Sequence, residues 1–382
     1  MTMITGFRLR HGLFLQSDIL LTSPKGSGHD DIELPTYHNY ENGGFPLPED
    51  RVSGLSQKTL IINDSFAIAF AGCVDRIQSA VHLIKKLTLD NHELTSSRYL
   101  SALESDPELS DGNLCAILLA ADSDGISITH YNAAEGFSTI NFDMVAAGSG
   151  SKQAIEHFSQ YPLEAFEVAD ENIAVQGTCM ALEQFANHII DEIDNQEFAS
   201  TIGERFGGGY EIAAFYDGKI NKVSDIVYAF AEAEFDDEML LQIEPPNFIM
   251  KSMYKGDNLI IRSVVNEVDP ADGYHKRQHD RTFTIPPITR FQEVNVEAES
   301  QEVNFLGEFL CFIIKVKVSK YHNITIPFIR KYSSFEDFVN KGFFPLPIAE
   351  HIVFEYSDTF RREVHGRVVE YMAMLKAFGK SQ

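Results

Sequence analysis

The feature that most constrains this chain is the order in which its apolar periodicity changes. Short apolar runs come in pairs separated by turn residues, and stretches with helical spacing lie between the pairs. The first pair, MITGFRL and LFLQSDILL, is interrupted by Arg10, His11 and Gly12. The second, TLIIN and FAIAFAG, turns around Asn63 and Asp64 and leads into VDRIQSAVHLIKKL, where Ile77, Val81, Ile84 and Leu87 share one helical face. LCAILLAAD and GISITHY then flank an AspSerAspGly turn, and INFDMVAAGSG runs into a helix over 151–160. Over 172–194, Leu182, Phe185, Ile189 and Ile193 form an apolar face widened by Ala186 and Ile190. GYEIAAFY and KVSDIVYAF form a further strand pair. Strand pairs set between helices predict two sheets covered by helices, an α+β chain of αββα sandwich type, rather than the strict alternation of a parallel sheet.

The length of 382 residues suits two domains. Residues 24–54 are rich in Gly, Pro, Asn and Asp without periodicity, and read as one long loop. GluProProAsnPhe at 244–248 punctuates the pattern and places a boundary, giving a first domain over 1–240 and a β-rich second domain over 241–382. In the latter, strands are expected at 258–265, 303–318 and 322–328, with an amphipathic helix near 358–377. The echo of GGFPLP at 43–48 in GFFPLP at 342–347 is too short for a structural repeat.

Several function classes are disfavoured. A formal charge of −25 repels phosphate backbones, and no basic run offers a nucleic-acid footprint. Cys73, Cys115, Cys179 and Cys311 are scattered in apolar surroundings without CxxC spacing, as expected of reduced, buried thiols. No stretch approaches a membrane span, and MTMITGFRLRHGLFLQ lacks a signal-peptide core, so the expectation is a cytoplasmic protein without a membrane partner. His275 and His279 stand four apart in a polar segment without a HExxH glutamate, which argues against a metal. The glycine runs at 26–28 and 207–209 match neither a phosphate loop nor a dinucleotide fingerprint, so no cofactor is expected.

Three motifs carry chemistry. Thr2, Gly6, Gly12 and Asp18 fall in the register TxxxGxxxxxGxxxxxD; Lys58 precedes Gly72 in SQKTLIINDSFAIAFAG; and VAAGSGS places Ser149 in a turn after a strand. Taken together over residues 2 to roughly 235, this pattern resembles proteasome β-subunits and their bacterial HslV relatives, the N-terminal nucleophile hydrolases. The resemblance implies that Thr2, freed by removal of Met1, is the nucleophile, and that its own α-amine, of pKa about 8, is the base. It further implies that Asp18 positions Lys58, that Lys58 lowers the proton affinity of nearby groups, that Gly72 donates its amide to an oxyanion, and that Ser149 hydrogen-bonds near the amine.

The chain departs from the family at ERFGGG, where Glu204 stands for an expected aspartate and Gly207 for an expected serine. The resemblance implies a threonine-type peptidase acting on peptides or proteins and assembled as a ring-shaped homo-oligomer. Two further readings stay open: a catalytically silent, proteasome-like scaffold or binding subunit, and an amidase acting on a small molecule. The second domain suits an interaction module for a partner protein.

Overall fold

The structure is a computed structural model describing residues 2–25, 32–36, 49–89, 94–123, 125–194, 199–268, 276–291, 303–319, 322–348 and 351–379. It is a mixed α/β chain of two compact units. The first comprises Met1–Val223, Tyr254–Leu259 and Thr284–Ala298; the second comprises Ser224–Met253, Ile260–Phe283 and Glu299–Gln382.

The chain opens with β1 (Met3–Leu9), β2 (Gly12–Asp18), β3 (Leu20–Pro24), β4 (Asp50–Leu55), β5 (Thr59–Asn63) and β6 (Phe66–Gly72). Helices α1 (Val74–Leu89) and α2 (Ser96–Ser105) lead to β7 (Leu114–Asp122), β8 (Gly125–Tyr131), β9 (Ala134–Ser138) and β10 (Phe142–Gly148). Then come α3 (Ser151–Ser159), α4 (Ile173–Asp194), the short α5 (Ser200–Gly203), β11 (Tyr210–Tyr216) and β12 (Lys219–Lys222).

These strands build a six-stranded sheet in the order β12-β11-β2-β1-β10-β9 and a four-stranded sheet in the order β5-β6-β7-β8. The period-two pattern of FAIAFAG explains how the two meet. One face of β6 presents Ala67, Ala69 and Ala71, which pack with Ile117 and Leu119 of β7 against Ile4, Leu13 and Leu15 of the six-stranded sheet. The other face presents Phe66, Ile68 and Phe70 to Ile77, Val81 and Ile84 of α1 and to Tyr99 and Leu103 of α2. Burial of each such large side chain stabilises by about 1.5–3 kcal/mol.

The six-stranded sheet is covered in the same way. Phe158 of α3 packs on Phe7 and Phe142, with ring centroids 4.9 and 5.5 Å away. Phe185 of α4 stacks on Tyr210 of β11 at 4.5 Å.

The second unit is built on β13 (Ile226–Phe235), β14 (Leu241–Ile243), β15 (Phe248–Lys255), β16 (Asn258–Val268), β17 (Lys276–Ile285), β18 (Phe309–Ser319) and β19 (His322–Lys331). It continues with α6 (Phe335–Lys341), the ribbon β20 (Phe343–Ile348) and β21 (His351–Tyr356), and α7 (Asp358–Gly379). β13 lies centrally, antiparallel to β15 and parallel to β18. An aromatic cluster joins sheet, ribbon and α7, with Phe360 stacked 5.5 Å from Tyr356 and edge-on to Phe312 at 4.9 Å. Among the described residues no helix is long and apolar enough to cross a membrane.

Four expectations need correction. The ends of the 24–54 loop are ordered: β3 pairs with β4, and Leu34 is buried with Leu20, Val52 and Ile202 in a small core of its own; 26–31 and 37–48 lie outside the described residues. The strand at Ile226–Phe235 does not pair with β11, whose partners are β12 and β2. Its residues Ile226–Ala231 are all buried, as suits a central strand, and the second unit opens at Ser224, while Tyr254–Leu259 and Thr284–Ala298 return to the first, so no single boundary near 240 divides the chain. The strand expected from 303 begins only at Phe309, since Val303 and Phe305 are buried as anchors without ladder partners. Finally, Cys73 is exposed, because it follows the end of β6 instead of sitting within it.

Candidate active site

The register of β1 fixes where Thr2 stands. Met3 pairs with Gly148 across the β1–β10 ladder, and Ile4 pairs with Ser17 across the β1–β2 hairpin. Thr2 therefore stands just ahead of β1, between the end of β10 and the end of β2. Gly148, at φ 88°, is obligatory there, since a side chain would overlap the Thr2 carbonyl. The Ser149 hydroxyl donates to that same carbonyl oxygen at 3.3 Å.

Asp18 closes β2 and gathers five donors. Its Oδ1 accepts from the Thr2 hydroxyl, from the Met3 amide at 2.8 Å and from the Lys58 ammonium at 2.7 Å. Its Oδ2 accepts from the amides of Leu20 at 3.0 Å and Gly207 at 3.1 Å. The ion pair is fully interior, Asp18 at 0 % and Lys58 at 2 % side-chain exposure. Such a pair is tolerable only with its remaining hydrogen-bonding capacity filled, and the Leu20 carbonyl supplies a further acceptor to Lys58 at 2.7 Å. Burial lowers the Lys58 ammonium below its ordinary value, opposed by Asp18 and then by Glu211.

Lys58 is placed from behind by a second buried carboxylate. Glu211 Oε1 accepts the amides of Lys58 and Thr59 at 2.7 and 2.8 Å and the Ser17 hydroxyl at 2.7 Å, while Oε2 pairs with Lys222. Lys58 is also tied to β6, where its carbonyl accepts the Phe70 amide at 3.0 Å.

Thr2, which is 2 % exposed, and Lys58 both line a cavity of about 970 Å³. Gly72 and Ser149 line it too, and Phe70, Ile77 and Ile288 give it an apolar wall. Cys73 and Cys115 also face it; burial raises the thiol of Cys115.

Of the residues expected from sequence, Thr2, Asp18, Lys58, Gly72 and Ser149 are thus brought together around one cavity or one carboxylate. Glu204 is not. It is exposed, with its carboxylate bonded to Gln153 at the start of α3, because the reversal at Arg205, φ 69°, carries the chain inward only from Phe206 onward. The backbone amide of Gly207, not the side chain of Glu204, reaches Asp18.

Two participants were missed, Glu192 and Glu211, each a carboxylate inside an otherwise apolar pattern. Glu192 continues the Phe185–Ile189 stripe of α4, and Glu211 lies in the run YEIAAFY. A charge at a core position of a helix or strand was the signal available.

Glu192 Oε2 accepts from the Thr36 hydroxyl and, at 3.0 Å, from the Gly208 amide; Oε1 accepts the Tyr210 hydroxyl at 2.6 Å. Burial raises its carboxyl from 4.5 to about 7, against the lowering effect of those donors and of Thr201. Gly207, at φ 119°, packs so tightly on it that a side chain there would overlap Glu192 Oε1. The serine expected at this position is absent because a carboxylate occupies the space.

Among the described residues no group of three or more His, Cys, Asp or Glu is placed to hold a metal ion. His279 lies on β17, and His275 falls outside the described residues. No protein-family model matches the chain, and no curated protein matches it either.

Proposed function

We propose that the first unit is an N-terminal nucleophile hydrolase domain of proteasome-like type, its two sheets and flanking helices forming that family's αββα sandwich, with Thr2 as nucleophile. The observation that carries this reading is one oxygen, Asp18 Oδ1, accepting from both the Thr2 hydroxyl and the Lys58 ammonium beside a cavity both residues line.

The reaction follows from these groups once Thr2 is freed of whatever precedes it. Its α-amine takes the hydroxyl proton as Oγ1 bonds to the carbonyl carbon of an amide. The C–N bond then breaks, the amine returns the proton to the leaving nitrogen, and an ester remains on Thr2. A water that gives its proton to the same amine displaces the acid and restores the hydroxyl.

Lys58 adds positive potential that favours the neutral, basic form of the amine. The Gly72 amide serves the oxyanion, a contribution of about 3–4 kcal/mol at comparable sites. The apolar wall of Phe70, Ile77 and Ile288 suits an apolar side chain next to the scissile bond of a peptide.

The test has two steps. Intact-mass measurement should show Met1 absent, and a peptide epoxyketone or β-lactone should then add one equivalent to the protein and none to Thr2→Ala. Retained Met1, or no labelling across several warheads, would favour the second reading, a catalytically silent scaffold. That reading draws on the exposed position of Glu204 and the glycine at 207. Assembly into a closed homo-oligomer belongs to the proposal as well, and sedimentation velocity decides it.

A further inference from the structure

Two successive backbone amides of the glycine turn are held by two different buried carboxylates. The Gly207 amide donates to Asp18 Oδ2 at 3.1 Å, and the Gly208 amide donates to Glu192 Oε2 at 3.0 Å. The turn has no side chain of its own with which to hold its shape, and Gly207, Gly208 and Gly209 all take positive φ, of 119°, 75° and 151°. Glycine pays the largest entropic penalty for being fixed, so its conformation here is imposed from outside. The Glu192 carboxyl does so on both counts, abutting Gly207 and accepting from Gly208.

We propose that Glu192 is a positioning residue for the Thr2 site: its carboxylate fixes the Gly207–Gly208 turn, which aims the Gly207 amide at Asp18, and protonation of Glu192 loosens that aim. The catalytic consequence rests on the hydrolase reading above; the coupling between Glu192 and the turn does not.

Charge matters because an ionised acceptor holds an amide roughly twice as strongly as a neutral one. Tyr210 of β11, Thr36, and Thr201 of α5 face Glu192 as hydroxyls. On its own helix the titratable neighbours are His188 and Asp191, the former lowered by burial to about 3 and therefore neutral; Asp18 lies on the far side of Gly207. No described cation pairs with Glu192, so its proton occupancy changes near neutrality, not in acid. Below that range the Gly208 amide faces a neutral carboxyl and the turn is less firmly held.

The experiment uses the full chain labelled with 15N-glycine and titrated from pH 5.5 to 8.5. The amide resonances of Gly207 and Gly208 should shift with one shared midpoint near neutrality, and that step should vanish in Glu192→Gln. Tyr210→Phe, which removes a donor to the carboxylate, should instead move the shared midpoint upward. In parallel, β-lactone acylation of Thr2 should fall about tenfold in Glu192→Gln at pH 8 and match the parent at pH 6.

Amides that do not titrate together, or that titrate unchanged in Glu192→Gln, overturn the proposal. A protein that takes no label at Thr2 yet shows the shared midpoint loses the hydrolase reading and keeps the coupling; labelling without the midpoint does the reverse.

Discussion

Replacing Glu192 by glutamine should change how stability depends on pH, and the size of the change follows from the burial of the carboxyl. In the folded chain that group is raised from 4.5 to about 7, so the native state holds its proton more tightly than the unfolded chain does. A raised carboxyl contributes stability that is complete below about pH 4.5, declines as pH rises toward 7 and is gone above it. The shift corresponds to about 3 kcal/mol. Glutamine keeps the size of the side chain and does not ionise. Relative to the parent, Glu192→Gln should therefore gain about 3 kcal/mol between pH 4.5 and 8, whatever its offset at low pH. Urea unfolding followed by circular dichroism at half-unit pH steps measures this, and only the transition of the first unit should respond. Parallel stability curves for the two proteins, or a difference that grows toward acid, would refute the argument that burial dominates the Glu192 carboxyl. If it stands, the ionised form that best holds the glycine turn is also the form that costs the fold most.

The ion pair beneath Thr2 makes a separate prediction. Asp18→Asn leaves the Lys58 ammonium buried without its paired negative charge, and should cost about 3–5 kcal/mol in chemical denaturation, whereas adding Lys58→Met should recover a large part of that loss. A double variant as unstable as the sum of the singles would contradict it. Gly207→Ser, which restores the residue the family resemblance calls for, should destabilise by about 1–3 kcal/mol, because φ 119° is strained for serine and its Cβ overlaps Glu192. In a thermal-unfolding cycle, Glu192→Ala should relieve part of that penalty, and strict additivity would argue against the overlap.

Much of the first unit was legible because its strands carry the period-two alternation in full. FAIAFAG states its two faces outright, alanines toward one sheet and the large Phe66, Ile68 and Phe70 toward α1 and α2. Thr2, Asp18 and Lys58 were singled out by the family resemblance that their register carries, and the strands bring all three to one carboxylate oxygen. Glu204 was misplaced because the path from α5 to β11 turns on the positive φ of Arg205, and a non-glycine residue gives no sequence warning of that.

In the second unit β13 was misassigned for a different reason. Its partners β15 and β18 lie on either side of it, and β18 follows much later in the chain, so no local pattern announces the pairing. β20 was not among the expected strands; its Pro345 and Pro347, which disfavour a strand in a sheet interior, are accommodated in a two-stranded ribbon.

Glu211 has a mechanical consequence. In the interior between the two sheets β6 presents only the alanines Ala67, Ala69 and Ala71, smooth contacts that give little resistance to sliding, and layered folds move most readily by such shear. Glu211, on a strand of the six-stranded sheet, grips the backbone at Lys58 and Thr59 at the head of the four-stranded one, and Ser17 bonds to Thr59 across the same gap at 2.9 Å. Sliding one sheet over the other would break charged contacts that have no water to replace them. The alignment of Asp18, carried by one sheet, with Lys58, carried by the other, is thus locked by a polar pin through an otherwise greasy joint.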